Sequence, residues 1–187
     1  MKLRIVLVVF VLLIASVIAA GALAATKNPP KPSKSGTPAV GAKVADFTLK
    51  TFKGTNVSLD KMLAKGPVLL VFYMGDACPV CNGQLISFQK SYPQFRKKGI
   101  QILAVSADKP DLEAKTAARD KISFTCASDP GMKVVKAWGA VMKENPPTAS
   151  PAYFLIGKNG KIAWEKIGPA DDPGKLTAEV LSFNFTK

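Results

Sequence analysis

Between Pro67 and Tyr73 the chain reads Pro-Val-Leu-Leu-Val-Phe-Tyr, an uncharged run that leads, five positions on, to the first of two cysteines three residues apart, Cys78 and Cys81. A short run of branched and aromatic residues with no polar alternation is the pattern of a strand buried on both faces. Such a strand needs cover above and below it, so the chain is constrained towards a sheet with helices on both sides. Beyond Cys81, apolar residues recur at Leu85, Phe88, Tyr92 and Phe95, the three-and-four spacing of one helix face. The cysteines therefore fall at the start of a helix. Pro79 suits the first helical position, where a missing N–H costs nothing, and this makes Cys78 the N-cap. The N–H groups of Val80 and Cys81, with the positive end of the helix dipole, then favour thiolate over thiol at Cys78. Cys81 lies one turn inside, shielded and placed to attack a mixed disulfide formed on Cys78. The chain contains no histidine, so the backbone carries most of any thiol activation. Asp76 reads as a solvated loop acid that opposes it.

The chain of 187 residues has three cysteines, too few for a disulfide framework. Its net charge of +13 includes five cations in the first 36 residues, where no acid occurs, so the remainder carries +8. The remaining lysines are scattered and lack an interleaved aromatic motif, which argues against nucleic-acid binding and for a basic, soluble surface. Lys2 and Arg4 precede an uncharged stretch from Ile5 to Ala25, read as a leader at 1–25: either a cleaved signal peptide or a retained membrane anchor. Residues 26–39, rich in Pro, Lys and Ser, read as a disordered linker. A single domain is expected over 40–187. The leader places that domain outside the cytoplasm, in a bacterial periplasm or on the outer face of the inner membrane, with membrane attachment through the N-terminus if the leader is kept.

Within the domain, Asp46–Leu49 and Asn56–Leu59 predict a hairpin around Lys53-Gly54, followed by the strand and helix already described. Pro93 should kink or divide that helix. A strand over 100–106, a helix near 111–119, a short strand around Phe124 and a helix through Val134, Val135 and Trp138 come next. A strand pair, Ala152–Ile156 and Lys161–Trp164, and a helix after Pro173 close the pattern. Alternation of this kind implies an α/β fold with a mixed central sheet covered on both faces.

In their order and spacing, Ala45-Asp-Phe-Thr-Leu49, the Val-Leu-Leu-Val-Phe-Tyr strand, Ala104-Val-Ser106, Ser128-Asp-Pro130, Trp138-Gly139, Pro151-Ala-Tyr-Phe-Leu-Ile156 and Gly160-Lys-Ile162 resemble the peroxiredoxin-like redoxins, the alkyl hydroperoxide reductase/thiol-specific antioxidant branch of the thioredoxin superfamily. The resemblance implies a thioredoxin-like fold with an N-terminal β-hairpin extension. It also implies a thiol-based oxidoreductase that draws electrons from a thiol donor to reduce a hydroperoxide or a protein disulfide, with no cofactor. The family pattern Phe-Tyr-Pro, three residues, Thr, two residues and the peroxide-reacting Cys puts Met74 at the proline, Cys78 at the threonine and Cys81 at the peroxidatic cysteine. The arginine expected before the late strand is replaced by Ala149-Ser150-Pro151. Pro151 stands where the superfamily places a cis-proline facing the cysteines, which would leave the backbone of Ser150 or Pro151 free to pair with an extended thiol substrate. Catalysis is thus expected at Cys78 and Cys81, supported by Ser150, Pro151, Met74 and Pro79. The two mechanisms name opposite attackers: Cys78 in disulfide exchange, Cys81 in the peroxidase register.

Other uses of the thiols are weaker. A zinc site needs four ligands, Cys126 supplies one more at most, and no histidine exists, so no metal is expected. Copper delivery meets the same objection. A redox-inert, membrane-tethered binding domain with a structural Cys78–Cys81 disulfide is the non-enzymatic alternative. Cys126 reads as a small buried strand residue, with a second resolving thiol as its sharper reading. Trp138 and Trp164 read as packing residues.

Overall fold

The computed structural model describes residues 36–143 and 147–185. The leader at 1–25 and most of the linker at 26–39 fall outside the described residues. Strands β1 (Thr48–Thr51), β2 (Asn56–Ser58), β3 (Val68–Phe72), β4 (Gln101–Ser106), β5 (Thr125–Ser128), β8 (Ala152–Ile156) and β9 (Ile162–Ile167) form one seven-stranded sheet in the order β2-β1-β5-β4-β3-β8-β9. Strands β3, β4 and β5 run parallel, whereas β8 pairs antiparallel with both β3 and β9. A separate two-stranded piece, β6 (Val141–Met142) with β7 (Thr148–Ala149), lies outside this sheet and has no counterpart in the sequence pattern.

The central position of β3 explains its uncharged sequence. Every residue of β3 is buried, and the pleat sends successive side chains to opposite faces. Leu69, Val71 and Tyr73 join a core with Cys81, Leu85, Phe88, Phe95, Leu176 and Val180 from the helices α2 (Pro79–Lys90), α3 (Tyr92–Lys97) and α6 (Pro173–Ser182). Val68, Leu70 and Phe72 join a second core with α1 (Leu59–Leu63) and α5 (Lys133–Ala137), where Trp138 packs on Phe72 and Phe154. Helix α4 (Pro110–Arg119) adds Ala117 to the first core.

Three local expectations are refined. Pro93 divides the helix rather than kinking it: α2 stops at Lys90 and α3 restarts with Pro93 in its first turn. The hairpin closes at Gly54, whose φ of 78° suits glycine, but its second strand ends at Ser58. The Ser58 hydroxyl then accepts the Lys61 N–H and starts α1, an N-cap signal the strand reading passed over. The hairpin is also no free extension, since β1 pairs antiparallel with β5 and extends the main sheet.

Candidate active site

Helix α2 begins where its sequence indicates. Cys78 is its N-cap with extended backbone (φ −106°, ψ 97°), Pro79 opens the first turn, and the Asn82 N–H donates to the Cys78 carbonyl at 3.0 Å. The Cys81 N–H donates to Cys78 Sγ at 3.2 Å. The two sulfurs are joined as a disulfide, with 5.2 Å between the Cα atoms. Cys81 is 3% exposed and packs in the core beneath the helix. Cys78 is half-buried, and its neighbours Pro79 and Val80 are exposed, Val80 to 57%. One sulfur of the pair is therefore open to an incoming reagent and the other is held inside.

The loop from Tyr73 to Ala77 that presents Cys78 is fixed from three directions. The Cys78 N–H closes a turn onto the Gly75 carbonyl at 3.2 Å, and Asn82 Nδ2 donates to the Asp76 carbonyl at 2.9 Å. Asp108, from the loop after β4, accepts the Asp76 N–H at 2.7 Å. Helix α4 supplies the rest: Glu113 accepts from the Tyr73 hydroxyl at 2.9 Å, Thr116 donates to Asp76 Oδ1 at 2.8 Å, and Arg119 forms an ion pair with Asp76. Asp76 is thus not the solvated acid expected from the loop sequence. The Thr116 hydroxyl and then the Arg119 guanidinium hold its carboxyl below the usual carboxylate range. Asp108 moves the other way, raised by burial. The local sequence does not show the grip on Asp76 from Asp108, Thr116 and Arg119, because these partners lie some 32 to 43 residues away.

Met74 is half-buried against the first core. Pro151 is buried at the same end of the sheet, immediately before Ala152, which pairs with Phe72. The backbone groups expected to be free for a substrate are largely engaged: the Ser150 N–H donates to Ala140 at 2.9 Å, and the Pro151 carbonyl accepts from the Gly168 N–H at 2.8 Å. Ala140, just before β6, and Gly168, just after β9, take up those groups, a pairing invisible without the tertiary fold. The missing peroxidase arginine has no replacement from Arg119, whose guanidinium is held by Asp76 and Asp120. Cys126 sits in β5 opposite Ala104, 2% exposed, with its thiol pKa pushed up by burial and by Glu113. Trp138 is buried, while Trp164 is half-buried and donates to Glu179 at 2.9 Å. Among the described residues no group of three or more His, Cys, Asp or Glu side chains is arranged to hold a metal ion.

A parallel β3-β4-β5 core, an antiparallel β8-β9 pair and a Cys-Pro-x-Cys helix start define a thioredoxin-fold redoxin. A model of the AhpC/TSA family matches residues 40–165, and the chain belongs to that family. It is similar to the chloroplastic peroxiredoxin Q of Gentiana triflora, 34% identical over 140 residues that cover 72% of this chain and 64% of the relative. The chloroplastic peroxiredoxin Q of Suaeda salsa is 35% identical over 141 residues, covering 72% and 65%. The chain thus spans just under two thirds of the length of these curated relatives. Among solved structures, peroxidoxin BcpB from Mycobacterium tuberculosis superposes with a TM-score of 0.70 at 23% identity, over 78% of this chain and 97% of that one. Enterococcus faecalis AhpC gives a TM-score of 0.69 at 21% identity, over 78% and 92%.

The relatives correct one expectation. They are chloroplastic proteins, which overturns the assignment of the domain to a bacterial periplasm or inner-membrane face. No helix among the described residues is long and apolar enough to cross a membrane. The run from Ile5 to Ala25 that carried the assignment lies outside those residues.

Proposed function

We propose that this protein is a thiol peroxidase that cycles Cys78 and Cys81 between dithiol and disulfide, with a small thiol or dithiol protein as electron donor. The observation that carries the reading is the asymmetry of the pair: Cys78 half-exposed at the helix N-cap and accepting the Cys81 N–H, Cys81 buried one turn inside. In the cycle this supports, the Cys78 thiolate attacks the terminal oxygen of a hydroperoxide. The O–O bond breaks, the alcohol leaves with a proton, and Cys78 becomes a sulfenic acid. Cys81 attacks that sulfur, releasing water and closing the disulfide. Two thiols of the donor then restore the dithiol and leave as a disulfide. With Cys78 in the threonine position and Arg119 engaged elsewhere, peroxide turnover should be slow for the family, and disulfide exchange through the same pair should compete with it.

The family register favours the opposite order, with Cys81 meeting the peroxide. Cys78→Ser and Cys81→Ser distinguish the two. If Cys78 attacks, Cys81→Ser accumulates sulfenic acid on Cys78, trapped by dimedone and read by mass spectrometry, and Cys78→Ser consumes no peroxide. Sulfenic acid on Cys81 in Cys78→Ser reverses the roles. A disulfide that resists mild reductants in the wild-type protein, with both variants consuming peroxide at the wild-type rate, refutes the catalytic reading in favour of a structural bridge. The division into a leader at 1–25, a linker at 26–39 and the redoxin domain belongs to the same proposal. Mass spectrometry of the N-terminus of protein from its native source tests whether the leader is removed.

A further inference from the structure

Glu113 is 1% exposed, yet two hydroxyls converge on one of its carboxylate oxygens: Tyr73 Oη at 2.9 Å and Ser106 Oγ at 2.5 Å. Its other oxygen, Oε2, is buried with no hydrogen-bond partner. A carboxyl that is half satisfied in the interior is costly in either protonation state. What it holds is the redox loop. Tyr73 is the residue at which β3 leaves the sheet for Cys78, and it shares the first core with Cys81. Ser106 continues the chain of contacts, accepting the Asp108 N–H at 3.0 Å, and Asp108 in turn accepts the Asp76 N–H. The loop before Cys78 is thereby tied at both ends to one hydrogen-bonded series that passes through Glu113.

We infer that Glu113 is a positioning residue for the Cys78–Cys81 pair, its protonation state setting how firmly the loop from Tyr73 to Ala77 holds Cys78. The inference rests on the proposed redox cycle and adds a control to it. An ionised carboxylate accepts the Tyr73 and Ser106 hydroxyls as charge-assisted bonds, roughly twice as strong as those to the neutral acid. The loop is therefore held more tightly when Glu113 is charged. Several groups face it: the Tyr73 hydroxyl from the end of β3, the Cys126 thiol from β5 and the Asp108 carboxyl from the loop after β4, with Asp76 beyond Asp108. Burial raises the Tyr73 and Cys126 values further above neutrality, and Asp76 is lowered by its Thr116 and Arg119 partners. Glu113 itself is raised by burial from 4.5 to about 7, so the anchor switches in the neutral range.

The test uses the full chain with its disulfide formed and dithiothreitol as the probe. Two electrons and two protons pass from the dithiol, which closes to its own cyclic disulfide, while the Cys78–Cys81 bond opens to two thiols. The rate, divided by the concentration of dithiothreitol thiolate at each pH, is measured from pH 5.5 to 8.5. In the wild type the corrected rate should fall by roughly three- to tenfold through a single step near neutrality, because reduction requires Cys78 to move and the charged anchor resists it. Glu113→Gln, the neutral isostere, should abolish the step. Tyr73→Phe keeps the acid but removes a donor that favours its charged form, so the step should move to higher pH. A disulfide that opens with a flat corrected profile, or a step that survives in Glu113→Gln, overturns the role of Glu113 and leaves the cycle standing. A disulfide that does not open at any pH overturns both.

Discussion

Gly75→Ala should uncouple the redox loop from its support. Gly75 has φ of 118°, a backbone conformation that L residues rarely adopt, and a Cβ built there would stand 2.7 Å from both Cγ and Oδ1 of Asp108. The strain of such a φ is worth about 1–3 kcal/mol. Asp108 must also retreat and release the Asp76 N–H, a bond to a charged group worth about 1.5–3 kcal/mol, nearer the lower figure because the site is only partly buried. Together these give a loss of about 3 kcal/mol, a large share of the roughly 5–15 kcal/mol that stabilises an ordinary domain. The midpoint of thermal unfolding should fall by about 6–12 °C, following the usual scaling for a chain of this length. Urea unfolding followed by tryptophan fluorescence measures the loss directly. Asp108→Ala separates its parts: with the carboxylate gone, Gly75→Ala should cost only the backbone strain, giving a coupling of about 1.5 kcal/mol between the two sites. A loss below about 1 kcal/mol, or one unchanged in the Asp108→Ala background, would refute the claim that the glycine exists to admit that carboxylate.

Stability should also depend on the charge of Glu113. Its folded pKa lies above its unfolded value, so the native state binds the extra proton and stability falls as pH rises from about 4.5 to about 7, by roughly 3 kcal/mol at most. Glu113→Gln should flatten that slope and make the protein more stable than wild type at pH 8, which urea titrations at several pH values check. Phe154 is fully buried in the second core, with ring centroids 4.9 Å from Trp138 and 6.1 Å from Phe72, so Phe154→Ala should cost about 3–5 kcal/mol. Because that core lies on the opposite face of β3 from Cys81, the dithiothreitol rate at fixed pH should change far less than the unfolding midpoint. Ser58→Ala removes the hydroxyl that caps α1 and should cost about 1 kcal/mol by the same urea assay.

Elements whose causes are local are legible along the chain. The uncharged run of β3, the proline at the first position of α2, Cys78 as its N-cap and an interruption of the helix at Pro93 all follow from residues within a turn or a strand of one another. The order of motifs likewise carried the family and the mixed sheet. What surrounds the thiols emerges only on folding. That β1 joins the sheet through β5, that Ala140 and Gly168 take up the backbone of Ser150 and Pro151, and that Asp76 is gripped rather than solvated are contacts between distant segments. Glu113, Thr116 and Arg119 show the reason most clearly. On paper they are polar residues three apart on a short helix, indistinguishable from a wetted face. Only when α4 lies beside the end of β3 do desolvation and proximity turn that face into the anchor of a loop some forty residues earlier in the chain.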